Sequence, residues 1–471
     1  MIPMKKTTQI SIWKKLKAAA PAHLAANPRN SRNIEDTIDI DSVLAHTQTL
    51  AVLPFTDQSV KKRLAHYCEG VAEELLNTLA TVKDLRVIPR TASFHFDSER
   101  HDPVLTGSRL GCGFLVTGRL KESTHGLRIA VRLIETGEGQ DIWSGSFNPR
   151  VENIYSTQQE IAGAVAQALG LPAPEPALQE PAVDPRAYDF FLRGLCYFAK
   201  NTTQDVVYAR QMLKQAIEIE PEYGRAWAGV AYTYGIEYMY FNASNVNLSE
   251  VGRTSKKALK LAPGLAQSHL ASGIAHCMKH GYKPAERDFS AAIRLKPGNF
   301  NPWYFFGRAK VHEGDLARAL KLFDYASRVR SEDYQSVLLQ AQLHISQGEQ
   351  DKALAVTREG IRRVRAVLDR NPRDNRALNM GAFALLRLGQ DEEATNWMVS
   401  SLENAPMDSI IQYNGACFFS LAGQVEHALD CLENCLVKVG NINREWLVHD
   451  SDMDNVRDHP RFAEIIRTFP E

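Results

Sequence analysis

Along residues 49–170 the spacing of apolar positions changes several times, and each change marks a new element. TLAVLP at 49–54 is a continuous apolar run of the length a buried strand needs, and LRVIPR at 85–90 is another. Between them, HYCEGVAEELLNTLAT at 66–81 repeats its apolar residues every three or four positions and predicts a helix. A short helix is predicted near 103–110. FLVTGRLKES, GLRIAVRLIE and QDIWSGSFN then alternate apolar and polar residues around glycine-containing turns, as antiparallel strands do. A helix over about 152–169 closes the segment. The order βαβαβββα predicts a mixed sheet with helices packed on it.

From about residue 187 the pattern is helical throughout, and small residues recur in phase. Ala285, Ala319 and Ala353 stand 34 residues apart, and Ala394 and Ala428 resume that interval after a seven-residue expansion. Gly273, Gly307 and Ala341 keep the same step, as do Gly314 with Gly348, Gly389 with Gly423, Phe289 with Phe323, and Ala292 with Ala326. Close helix crossings need small side chains, and a fixed period of this length marks a stacked supersecondary unit. Trp303, Gly307, Gly314, Ala319, Phe323 and Ala326 fall at the W, G, G, A, F and A positions of the tetratricopeptide repeat, which this region resembles. The resemblance implies about seven helix pairs, at 190–223, 224–265, 266–299, 300–333, 334–374, 375–408 and 409–440, the second and fifth expanded. Pro221, Pro263, Pro297, Pro372 and Pro406 close individual units. Each hairpin buries its apolar face only against its neighbours, so stability requires several copies.

AVLPF at 51–55, EGVAEELLNTLA at 69–80, LRVIPRTASFHF at 85–96, FLVTGRLKES, LRIAVRLIETGEGQDIWSGSF and IYSTQQEIAGAVAQAL together resemble the TolB-like domain that precedes tetratricopeptide arrays in bacterial regulators and in class III nucleotide cyclase fusions. DSDMDNVRDHPRF at 451–463 looks like the segment that caps such arrays. The forty-odd residues ahead of Ala51 are too few for a cyclase, a kinase or a complete winged helix, so those activities are not carried over. The expected organisation is therefore an α+β/α two-domain chain: a basic leader read as disordered at 1–46, a small mixed-sheet α/β TolB-like domain at 47–170, a proline-rich linker at 171–186, an all-α solenoid at 187–440 and a capping segment at 441–471. Because the spacer separates two self-contained patterns, fragments 45–171 and 186–471 are each expected to fold alone.

Composition narrows the function. The chain has 471 residues, 44% of them hydrophobic, with formal net charge zero and a pI of about 7.2, so no global field draws it to nucleic acid or anionic membrane. No apolar run reaches membrane-spanning length and no signal-peptide pattern opens the chain, which places it in the cytoplasm. The seven cysteines form neither a disulfide framework nor a metal-ligand set. GSRLGCG at 107–113 lacks the GK[ST] ending of a phosphate loop. Asp450, Asp452 and Asp454 imitate the opening of a calcium loop, but Asn455 replaces its glycine and Arg461 stands at its bidentate glutamate. Neither GxSxG nor HExxH occurs. No cofactor, no metal and no catalytic residue is expected, and the chain is read as a non-enzyme.

What remains is recognition. First helices of stacked pairs line a surface on which a helix or extended peptide can lie. In register, the candidate partner-binding residues are Asn301, Tyr304, Arg308, Gln335, Gln342, Arg376, Asn379 and Tyr413, joined by Leu338 and Phe383; the alternative for Tyr304, Leu338 and Phe383 is packing between repeats. Alanine at Tyr304 and Arg308 together is expected to cost at least about 2 kcal/mol of affinity while sparing the fold. The expanded second repeat carries Tyr232, Tyr234, Tyr238, Tyr240 and Phe241, enough aromatic area for a binding ledge or a cover over the groove. The leader holds Lys5, Lys6, Lys14, Lys15, Lys17, Arg29 and Arg32 with no acidic residue before Glu35. Such a tail attracts anions without reading sequence. The leading reading is a cytoplasmic adaptor or regulatory scaffold holding a protein or peptide partner. Its alternatives are a transcriptional regulator touching DNA through the tail and the regulatory half of a nucleotide cyclase system.

Overall fold

A computed structural model of the chain describes residues 33–44, 48–97, 99–123, 126–149, 154–174, 183–200, 203–240, 244–436 and 444–468. It is mostly helical, with one small mixed sheet. The chain divides into two compact units, one comprising Asp36–Glu237 with Val246–Asn299, the other Met1–Glu35, Tyr238–Asn245 and Phe300–Glu471. Two short helices, α1 (Ile34–Thr37) and α2 (Ile40–Leu44), lie in the stretch read as a disordered leader, and Ile34, Glu35 and Ile40 are buried. The basic residues of the tail, and 175–182 of the proline-rich spacer, lie outside the described residues.

In the first unit the order is β1 (Gln48–Val52), β2 (Thr56–Asp57), α3 (Ala65–Leu79), β3 (Leu85–Val87), α4 (Arg90–Ser93), α5 (Pro103–Leu110), β4 (Phe114–Ser123), β5 (Gly126–Glu135), β6 (Gln140–Phe147) and α6 (Ile154–Ala168). The sheet runs β3-β1-β4-β5-β6, with β1 parallel to both neighbours, β5 antiparallel to both of its own, and β2 paired in parallel with β4. The continuous apolar run at β1 is explained by burial on both faces: Leu50 and Val52 join Val71, Leu75 and Ile161, while Ala51 and Leu53 join Ile88, Ala92 and Phe96. β5 alternates from Leu127 to Leu133, with Leu127, Ile129, Val131 and Leu133 turned to one core, and at Ile134 its other face is buried as well.

The expected independence of fragment 45–171 is corrected here. Helix α7 (Pro185–Lys200) packs on α3, and Tyr188, Phe191 and Leu192 belong to the same apolar core as Val71 and Leu75. Gly70 permits that approach: a Cβ there would stand 2.8 Å from Leu192. His66 Nε2 lies 2.7 Å from Asp189, the Tyr188 hydroxyl donates to Gln158 at 2.8 Å, and Arg225 pairs with Glu74. The two sequence patterns thus share one apolar core.

The repeat helices of this unit are α7 with α8 (Thr203–Ile219), α9 (Gly224–Tyr240) with α10 (Asn245–Leu261), and α11 (Ala266–Met278) with α12 (Tyr282–Leu295), except that Tyr238–Tyr240 and Asn245 belong to the other unit. Those of the second unit are α13 (Phe300–Glu313) with α14 (Leu316–Val329), α15 (Gln335–Ser346) with α16 (Gln350–Leu368), α17 (Asn375–Arg387) with α18 (Asp391–Asn404), and α19 (Ser409–Leu421) with α20 (Val425–Leu436). The end of the chain adds α21 (Arg444–His449), a 3-10 turn at Ser451–Met453 and α22 (Pro460–Thr468).

The in-phase residues do the same job in each pair. A Cβ on Gly273 would come within 2.6 Å of the Phe289 ring, and one on Gly307 within 2.7 Å of Phe323. Gly314, Gly348, Gly389 and Gly423 each take a positive φ between the two helices of a pair, which closes the first helix at low steric cost. His280, 34 positions before Gly314, adopts the same left-handed backbone with φ 57°. Ala285, Ala319, Ala353, Ala394 and Ala428 are all buried. Ala319→Leu should therefore overpack its helix crossing and cost about 1–3 kcal/mol, read as a lowered urea midpoint; an unchanged midpoint would show that the crossing is loose.

Asp288 ties the α11/α12 pair together, accepting from Ser272 Oγ at 2.7 Å and lying 2.9 Å from His276 Nδ1 and 3.6 Å from His269 Nδ1. The facing carboxylate raises the His269 pKa above 6.5 against the effect of burial, and the Pro263 carbonyl at 2.7 Å adds to the rise. A raised histidine stabilises fully below its unfolded value and loses that contribution as pH climbs through the folded one. In thermal melts, the advantage of the parent over His269→Gln should therefore shrink as pH rises from 6 towards 9.

Candidate functional site

The second unit brings the sequence-selected side chains onto one face of successive first helices. The Tyr304 hydroxyl on α13 donates to Gln335 Oε1 on α15 at 3.3 Å, and Arg376 on α17 donates to the same oxygen at 3.3 Å. Arg387 donates to Gln342, so α17 and α15 are joined a second time. Asn414 on α19 donates to Asn379 Oδ1 at 3.2 Å, and Asn379 Nδ2 points at the Met398 sulfur 3.7 Å away. Tyr413 donates its hydroxyl to Asp450, just after α21. The spacing of the repeats thus produces a ladder of side-chain hydrogen bonds across the pairs.

The expectation that these residues are exposed is corrected. Tyr304, Gln342, Asn379 and Tyr413 are 6%, 8%, 7% and 4% exposed, and Asn301, Arg308, Gln335 and Arg376 are half-buried. The reason is that the chain covers its own ladder. Tyr240, the last residue of α9, accepts from Arg308, and its ring lies 5.2 Å from the Arg308 guanidinium and 4.2 Å from that of Arg376. At the other end Asp450 holds Tyr413 and caps the 3-10 turn, accepting from Asp452 N at 3.0 Å. Leu338 is buried, and half-buried Phe383 meets Phe418 edge-on at 5.7 Å. Tyr304 is stacked on Phe300 at 5.3 Å and lies against Phe323, so its truncation would damage packing and the double alanine test at Tyr304 and Arg308 no longer spares the fold.

The electrostatics follow from this crowding. Burial alone would raise the Tyr240 pKa, but the Arg308 and Arg376 charges outweigh it and hold the phenol below its ordinary value. Burial raises Tyr304, with the Tyr240 oxygen adding to the rise. Desolvation pushes Arg387 down to about 10, with Asp452 opposing it. Arg387 was not selected from the sequence, although it stands one helical turn beyond Phe383 and so shares its face.

A second self-contact lies on α14. The Glu35 carboxylate receives both Nε and Nη2 of Arg318, the latter at 3.1 Å, and the Tyr325 hydroxyl donates to the Glu35 carbonyl at 3.0 Å. The Arg318 guanidinium also lies 5.3 Å from the Phe306 ring.

Among the described residues no group of three or more His, Cys, Asp or Glu could hold a metal ion. Burial raises the thiols of Cys68, Cys196 and Cys431 to about 12 and that of Cys112 to about 11, far from the thiolate a nucleophile needs. No helix among the described residues is long and apolar enough to cross a membrane.

No family model matches the chain. It is 24% identical over 275 residues to Putative adenylate cyclase 3 of Rhizobium meliloti (strain 1021), a match taking in 56% of this chain and 45% of that protein. With Superkiller protein 3 of Schizosaccharomyces pombe it shares 26% identity over 166 residues, 35% of this chain and 12% of that one. The chain thus spans less than half the length of either curated relative. Among solved structures, the human IFIT1 dimer with m7Gppp-AAAA superposes with a TM-score of 0.46 at 13% identity, covering 60% of this chain and 64% of that one. Yeast Tom70 does so with a TM-score of 0.39 at 19% identity, covering 68% and 64%.

Proposed function

We propose that the chain is a non-enzymatic, cytoplasmic regulatory scaffold that holds a protein or peptide partner on the first-helix face of residues 300–436. In this reading the repeats are a tetratricopeptide array of about seven pairs and the sheet-bearing portion is a TolB-like domain that supplies a further contact surface. The observation that carries the proposal is the ladder itself: Gln335, Arg376, Gln342, Arg387 and Asn379 set amides and guanidiniums on one face of two successive first helices, α15 and α17. Side chains of this kind, beside aromatic rings, supply the few strong anchors that dominate an interface. The regulatory half of a nucleotide cyclase system is a second reading, favoured by the similarity to Putative adenylate cyclase 3. DNA contact through the basic tail rests on residues outside the described ones and has no further support.

Affinity capture with the full chain, run beside Arg376→Ala/Arg387→Ala and beside Val399→Glu on α18, tests the proposal. Val399 is an exposed second-helix position. A specific protein retained by the parent and by the Val399 variant, and lost with the arginine variant, is the expected result. Retention by all three would place the partner elsewhere, and recovery of a cyclase chain would select the second reading.

A further inference from the structure

Arg210, Arg225 and Arg318 are half-buried and balanced by carboxylates, those of Glu237, Glu74 and Glu35. Arg308, Arg376 and Arg387 are not. Each is half-buried, all three lie on first helices of the same unit, and among the described residues none has a carboxylate within ion-pair distance. Arg308 and Arg376 converge on one phenol, that of Tyr240, and Arg387 has an amide oxygen. Two guanidiniums over one ring, taken partly out of water, repel each other, and a single phenol oxygen compensates them poorly. The arrangement is complete as a receptor and incomplete as an ion-pair network.

We propose that Arg308, Arg376 and Arg387 receive the acidic side chains of a partner polypeptide, and that the Tyr240 hydroxyl is a displaceable internal substitute occupying the first two. This rests on the scaffold reading above and names the chemistry of its partner. A carboxylate accepts two parallel hydrogen bonds from a guanidinium, which a phenol oxygen cannot do, so an aspartate or glutamate entering beside Tyr240 exchanges a weaker acceptor for a stronger one. A peptide fits better than a nucleic acid. The Tyr304 and Tyr334 rings that could stack bases are buried, and the face of Tyr304 is already taken by Phe300.

The test is fluorescence anisotropy of the full chain at low ionic strength with labelled hexaglutamate, hexaglutamine and a ten-nucleotide thymidine strand. Hexaglutamate should bind at least tenfold more tightly than hexaglutamine. Arg308→Gln/Arg376→Gln should weaken it about tenfold or more, Arg308→Lys/Arg376→Lys should lose less because the charge stays, and Tyr240→Phe should strengthen it several-fold by removing the competing hydroxyl. Thermal melts on each variant identify those that remain folded, and the lysine pair keeps the test decisive if the glutamine pair does not fold. Equal binding of hexaglutamate and hexaglutamine, indifference to the arginine changes, or no gain with Tyr240→Phe would overturn the proposal. Arginine-dependent binding of the nucleotide strand without binding of hexaglutamate would replace the peptide with a nucleic acid. A partner that is captured on this face yet ignores the arginines would sink this inference alone, whereas a partner that ignores the whole face sinks the scaffold reading with it.

Discussion

Trp303→Ala should destabilise the unit that contains it by about 3–5 kcal/mol, the range for removing a large aromatic from a packed core. Trp303 is the largest side chain buried below 2% exposure among the described residues, and its indole meets the Tyr325 ring edge-on at 5.1 Å. That contact joins the two helices of the best-matched repeat, α13 and α14, so the cavity would open between the helices rather than at a surface that can collapse. Urea unfolding followed by far-ultraviolet circular dichroism should show a clearly lowered midpoint. A shift worth less than about 1 kcal/mol would mean that the pair is held by its neighbours and not by its own core.

Glu74→Ala should be comparably damaging, at about 3–5 kcal/mol, for a different reason. Glu74 is 4% exposed, and it balances Arg225, whose guanidinium lies 4.8 Å from the Phe191 ring. Removing the carboxylate takes away the charge that faces the Arg225 guanidinium, which costs more than the pair itself contributes. The double change Glu74→Leu/Arg225→Met should recover most of the loss, since an apolar pair of similar volume avoids desolvating two charges. Because Glu74 is on α3 and Arg225 on α9, the same measurement tests whether the sheet-bearing segment and the first repeats share one cooperative core. A loss confined to a few tenths of a kcal/mol would argue that they unfold separately.

Segments with a clear apolar run or period were legible in the sequence, and elements of two to four residues without one were not. The helix expected at 66–81 and the three strands after 113 appear as α3 and β4 to β6, because each runs long enough for its period to show. β2 has two residues and α4 has four, too few to express any period, and both are fixed by their surroundings. The repeat register was readable from alanine and glycine spacing, since a close crossing between helices tolerates little else. His280 hid one copy by taking the left-handed position with a side chain. Which residues share the first-helix face also followed from the register. What covers that face did not: Tyr240 lies 68 residues from Arg308, and Glu35 lies 283 from Arg318, separations across which no local pattern carries information. The unbalanced arginines could be recognised only once their surroundings were known.

The central claim is that a protein partner sits on the first-helix face of residues 300–436. Site-specific photo-crosslinking in cells tests it most directly, with azidophenylalanine placed at Phe383 on α17 in one chain and at Val399 on α18 in another. Phe383 is half-buried at the ladder, and Val399 is exposed on a second helix. The account predicts a discrete covalent adduct with one protein from position 383 and none from position 399. An adduct formed only from position 399, or equally from both, would contradict it.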